Sequence, residues 1–240
     1  MLYQRIFSAL LIAVPTIAAP WYQPTSPQDT HHASPHPIRS AGVAATSVST
    51  PVLPVQTPNT LPPLSDSLNL RVIALGVGTQ NYTCSQTPNV SSSAPVSVGA
   101  NATLYDVTEL FTNSPQDIGN ITETALLQNS GLGNQPIGHH FFTYVGSTLT
   151  PTFDLDGHSP SLFLSAVKEN TETAPVLAYT GLSSEGAVPW LFLQSDTSGL
   201  SEGMSEVYRV ETAGGAQPST CADKDGDFQV PYSAEYWFYG

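Results

Sequence analysis

Apolar and polar positions in this chain fall into short runs, many with two-residue alternation, and long helical stripes are lacking. Leu70 to Val77 is rich in β-forming residues and runs on towards Cys84. The stretch from Gly138 to Lys168 reads as three strands, His139 to Val145, Thr152 to Leu155 and Leu162 to Val167. Asp156-Gly157 between the last two is a strong hairpin signal, because a two-residue turn needs positive φ and glycine supplies it without a steric penalty. Val188 to Leu193 is a continuous apolar run of strand length, predicted to be buried on both faces. Glu206 to Thr212 alternates, with Tyr208 and Val210 on one side and Val207, Arg209 and Glu211 on the other. The chain closes on an aromatic strand, Glu235 to Tyr239, while Ala102 to Val107 fits a strand and a helix start equally. One short helix is predicted: Ser114-Pro115-Gln116-Asp117 supplies an N-cap, an N1 proline and an early acid, and Ile118, Ile121 and Ala125 follow at helical spacing. The sum is a mainly β fold, an antiparallel β-sandwich or barrel with one short helix and one disulfide.

Composition divides the chain. Residues 1–19, MLYQRIFSALLIAVPTIAA, carry one charge at Arg5, an apolar run from Ile6 to Val14 and small residues at Ala18 and Ala19. That is the layout of a secretory signal peptide, and its run is shorter than the roughly 20 residues a membrane-spanning helix needs. Residues 20–67 hold ten prolines among many Ser and Thr and read as an extended spacer, with His31, His32 and His36 as solvated linker histidines. A single β-rich domain is expected over 68–240. Export makes Cys84 and Cys221, the two cysteines of the chain, the expected disulfide. Sequons at Asn81, Asn89, Asn101 and Asn120 predict an N-glycosylated face.

Six Lys and Arg against 19 Asp and Glu give a net charge of −13. Such a chain repels phosphate backbones and anionic membranes, so nucleic acid is excluded as a partner.

Several local motifs invite chemistry and fail on context. Gly76-Val-Gly78 follows a strand but lacks the third glycine and the helix that a dinucleotide site needs, so NAD is rejected as a cofactor. Gly199-Leu-Ser201-Glu-Gly203 matches a nucleophile elbow, but the last histidine is His158, upstream of the serine, and a strand-like run follows. Asp196-Thr-Ser-Gly199 and Asp223-Lys-Asp225-Gly-Asp227 read as loops. The candidate ligand or metal site is the group His140, Asp154, Asp156 and His158. Pairing Val145 with Pro151 across the first turn sets His140 opposite Asp156, with Asp154 and His158 diagonal to it, and these are ligand types for a transition metal or for acid/base work. A one-residue slip sends His140 to the other face. Trp190, Tyr236, Trp237, Phe238 and Tyr239 are expected in the core.

The blocks GVGTQNYTC, ATLYDVTELF, GHHFF, TPTFDL, VPWLFL, YRVETAGGAQPSTC and VPYSAEYWFY, spread over about Leu68 to Gly240, resemble a family of secreted fungal proteins of unknown function whose members often carry a malate dehydrogenase label. The resemblance implies a secreted, one-disulfide domain and assigns no catalytic residue. Malate dehydrogenase activity is rejected on the grounds given for Gly76 and Gly78. The expected function is non-enzymatic: an extracellular or cell-wall protein binding a polysaccharide or a small ligand. The competing reading is a metal-dependent or acid/base enzyme using His140, Asp154 and His158.

Overall fold

A computed structural model describes residues 50–84, 93–113, 118–222 and 224–240. The signal peptide, most of the spacer, Asn89, Asp223 and the Ser114–Asp117 helix start lie outside the described residues. The chain makes eight antiparallel strands in simple meander order: β1 (Leu70–Cys84), β2 (Val96–Asp106), β3 (Pro136–Val145), β4 (Thr148–Leu155), β5 (Leu162–Glu172), β6 (Trp190–Ser195), β7 (Glu206–Gly214) and β8 (Gly226–Tyr239). They form a closed barrel, and β1 and β8 seal it from Leu70↔Tyr239 to Cys84↔Gly226. Closure pairs every strand on both sides over at least part of its length, and β4 and β5 part at one end.

Alternation then assigns each strand two cores. Inward residues such as Val72, Leu104, Leu155, Leu164, Val207 and Phe238 fill one end of the barrel. Outward residues Ile73, Leu75, Trp190, Tyr208, Val210 and Trp237 would face water in a bare barrel, and they are covered instead. The cover is two short helices where one was expected, α1 (Thr108–Asn113) and α2 (Ile121–Gln128), together with residues 50–69. Phe111 of α1 packs edge-on to Trp237 at 5.1 Å, and α2 buries Ile121, Ala125 and Leu126. Helix α1 is hard to read from sequence because it follows β2 directly, started by Thr108, whose N–H donates to Asp106 Oδ1 at 2.9 Å.

Composition assigned residues 50–67 to the spacer, yet they lie along the barrel. Leu61 is buried, and Tyr208 Oη donates to the Pro62 carbonyl at 3.2 Å. The Thr60 N–H reaches Glu172 Oε1 at 3.2 Å, and Ser65 Oγ donates to Glu206 Oε1 at 2.6 Å. Proline-rich sequence carries no periodicity that would reveal this docking. Cys84 and Cys221 form the expected disulfide, with Cα atoms 5.8 Å apart and a sequence separation of 137. A loop that long removes about 5 kcal/mol of chain entropy from the unfolded state.

Candidate functional site

The barrel is filled at one end and open at the other. Strands β4 and β5 pair only from Thr152↔Ser165 to Leu155↔Leu162. Beyond Thr152, β4 stays with β3, while β5 from Ala166 onward stays with β6. Where they part, the interior opens into a cavity of about 1050 Å³. Its apolar walls include Phe142, Phe153, Leu191 and Leu193, and Gln80, His140, Arg209 and Tyr236 bring polar atoms to it.

Each polar group is placed by strand alternation and by local packing. Tyr236 fits inside because the residue diagonal to it on β1 is Gly76; a Cβ there would stand 2.5 Å from the tyrosine ring. The Gly-x-Gly that superficially suggests a nucleotide site therefore serves packing, Gly76 admitting this ring and Gly78 the Asn101–Ala102 backbone of β2. Tyr236 and Tyr232 hold their hydroxyls 2.8 Å apart, and burial raises the pKa of both, so both keep their protons. His140 stacks on Phe153 at 4.2 Å and 10°. Its Nδ1 lies 2.9 Å from the Thr152 carbonyl oxygen, which can only accept, so Nδ1 carries the proton and Nε2 is left as an acceptor. Burial pushes the His140 pKa down to about 4, against the opposing pull of the Thr152 bond, and the ring is neutral at ordinary pH.

Arg209 is the buried charge of this lining; Lys168 and Glu169 are exposed at its edge and Asp196 is half-buried. Arg209 is 7% exposed and faces the cavity, beside the Tyr236 hydroxyl. One terminal nitrogen donates to the Pro189 carbonyl at 2.8 Å, and Nε has no partner. None of the described carboxylates forms an ion pair with it. Strand geometry explains why. Glu206 lies three positions away and points outward to Ser65. Glu211 lies two positions away and by alternation would share the inner face, which is what the sequence predicts. A β-bulge between Val210 and Ala213, with Glu211 at φ 44°, breaks the alternation. Glu211 instead lines an outer cleft with Glu235. There burial pushes Glu235 up to about 8, with the Trp237 Nε1 bond at 2.9 Å lowering it and Glu211 adding to the rise.

A family model described as a protein of unknown function, DUF3455, matches residues 64–240. The chain belongs to the DUF3455 family. No curated protein and no solved structure matches the chain. The family description carries no fungal source and no dehydrogenase label.

In this DUF3455 domain the four residues expected to form a site are separated. The β3–β4 turn is Gly146-Ser147, with Gly146 at φ 62°, so Val145 pairs with Thr148 and not with Pro151. That register sets His140 opposite Phe153 and His139 opposite Asp154. His140 is buried inside. Asp154 belongs to the outward positions of β4, and Asp156 is exposed in the β4–β5 connection. His158 is half-buried there, its Nδ1 2.7 Å from the Pro160 carbonyl. No three His, Cys, Asp or Glu side chains among the described residues stand close enough to hold a metal ion. The tight turn sits one connection earlier than Asp156-Gly157 suggests, and six residues, 156–161, link β4 to β5.

The remaining motifs have structural work. Ser201 Oγ donates to the Ser165 carbonyl at 3.1 Å and accepts from the Ser165 N–H at 3.2 Å, pinning the β6–β7 loop to β5. Asp196 accepts from Ser165 Oγ at 2.6 Å and from the Ser198 N–H at 3.0 Å, which with the Ser198 hydroxyl holds its carboxyl below the usual range despite some burial. Trp190, Tyr236, Trp237, Phe238 and Tyr239 are buried as expected. Of the sequons, Asn101 and Asn120 are exposed, while Asn81 is half-buried and accepts from Thr79 Oγ1 at 3.1 Å. Arg209 and Gln80 are what sequence reasoning missed. Arg209 shares its side of the strand with Val207 and Glu211, the more polar side by alternation, so its place inside the barrel carried no signal beyond its being one of six basic residues.

Proposed function

We propose that this protein is an exported, N-glycosylated β-barrel that binds a small, largely apolar molecule in the open end of its barrel. Its N-terminal leader, its cystine and its exposed sequons support the extracellular and cell-wall setting. The carrying observation for binding is the unfilled interior. Folded cores pack to the density of organic crystals, and eight strands enclose either side chains or one small ligand. A cavity of about 1050 Å³ next to a fully packed half-barrel is the size of a ligand pocket. Trp190 and Trp237 are buried, so they offer no flat sugar-binding platform, which favours a small ligand over a polysaccharide. An enzyme built on His140, Asp154 and His158 gains no support, because the three do not converge.

Titration with the neutral fluorophore 1-aminoanthracene tests the reading. Saturable one-site enhancement is expected for the full chain, and Leu191→Trp, which fills the wall of the cavity, should abolish it. Linear, non-saturating fluorescence, or unchanged binding in Leu191→Trp, would refute a barrel-interior site.

A further inference from the structure

We infer that the ligand of the barrel cavity carries one carboxylate, seated on Arg209 with its apolar body against Phe142, Leu191 and Leu193. This rests on the small-ligand reading of the cavity and adds the chemical class of the ligand. Three observations carry it. First, Arg209 is more than nine-tenths buried, faces the cavity and keeps Nε without a partner. A buried charge left unpaired is costly, and arginine cannot shed its proton to escape the cost. An anion entering the cavity restores the missing partner.

Second, the neighbours are donors or are neutral. The Tyr236 hydroxyl stands beside the guanidinium and shares a bond with Tyr232 in which either oxygen can donate, so Tyr236 is free to turn its proton to a ligand oxygen when Tyr232 donates. The side-chain amide of Gln80 lies against the Tyr232 hydroxyl and adds a further neutral polar group to the cavity. His140 adds no second cation, because its ring is neutral and bonded to Thr152. Lys168 and Glu169 are exposed at the mouth of the cavity and the half-buried Asp196 is bonded to Ser165 and Ser198, so Arg209 is the one buried charge on its wall, among neutral hydrogen-bonding groups. Third, the charge pattern of the whole chain selects a single negative charge. With a net charge of −13, a multiply charged anion is repelled on approach, and one guanidinium satisfies one carboxylate through its two-pronged face. The bulge at Glu211 belongs to the same arrangement, since an acid in its regular place would occupy Arg209 permanently.

Calorimetric titration of the full chain with decanoate, decanol and decyl phosphate, matched in chain length, tests this. Decanoate is expected to bind at least about tenfold more tightly than decanol, the ratio a charge-assisted bond supplies. Arg209→Met should bring decanoate to the level of decanol or below while decanol binding persists, and Arg209→Lys should retain part of the preference. Equal binding of decanoate and decanol by the wild-type chain would overturn the carboxylate assignment and leave the apolar pocket standing. So would a preference for decyl phosphate, or an undiminished preference in Arg209→Met. Binding of none of the three, together with no binding of 1-aminoanthracene, would remove the pocket itself. The wild-type comparison decides even if a variant fails to fold.

Discussion

The two faces of the same strands solve the problem of buried charge in opposite ways. On the outside, Glu172, Glu206 and Glu235 are buried and each is given work. The first two each accept a bond on one carboxylate oxygen, from residues 60 and 65, with the other oxygen buried without a partner, and Glu235 accepts from Trp237. Around them the aromatic outer core is closed over by the helices and by residues 50–69. On the inside, one end is equally full, but the other holds Arg209 with no acid to meet it and space beside it. The outer acids are sealed beneath the cover with at least one bond each, whereas Arg209 borders open space that another molecule can enter, and the barrel tolerates it because the filled half and the outer layer supply the stability.

The largest test of that contrast is steric. Trp237→Ala should cost about 3–5 kcal/mol, seen as a fall in urea midpoint, because it empties a sealed outer core. Leu191→Ala should cost less than about 2 kcal/mol, since it only enlarges a space that already exists. Equal costs would mean that the inner end is as tightly built as the outer layer.

The pH dependence should differ in sign between the faces. Glu235 has a raised pKa of about 8, so its contribution is full below the unfolded value near 4.5 and is lost as pH rises towards 8. Glu235→Gln keeps an acceptor for Trp237 and should remove that loss, on the order of 4 kcal/mol, read as a flat urea midpoint between pH 5 and 8. His140, with its pKa lowered to about 4, behaves oppositely. Its contribution is full above the unfolded value near 6.5 and is lost as pH falls to about 4, on the order of 3 kcal/mol. His140→Gln should flatten the acid limb and leave the alkaline one unchanged. If both variants flattened the same limb, the assignment of these groups would fail.

Smaller effects sharpen the picture. Arg209→Met should leave the empty protein as stable as the wild type or raise it by about 1–2 kcal/mol, since an unpaired buried charge is removed. Thermal melting without ligand measures this, and a strong loss would make Arg209 a structural residue. Glu211→Gly should raise stability by up to about 1 kcal/mol by relieving the left-handed backbone and the Glu235 repulsion, net of the entropy glycine adds to the unfolded chain.

How far the sequence could be read depended on the range of the interaction. Two-residue alternation, glycine turns and two cysteines are local or unambiguous signals, and they sufficed for a β fold, most of its strands and the cystine between Cys84 and Cys221. Register is not local. The choice of Gly146-Ser147 as the tight turn moved the partner of His140 from Asp156 to Phe153 and separated the expected site. Closure of β1 on β8, docking of residues 50–69 and the bulge that turns Glu211 away from Arg209 arise only when distant strands meet. The sequence alone determined which faces would be apolar, because side-chain direction in a strand follows position. Only the tertiary structure decided which apolar face would be filled and which left open around an unpaired arginine, because that depends on how eight strands share one interior.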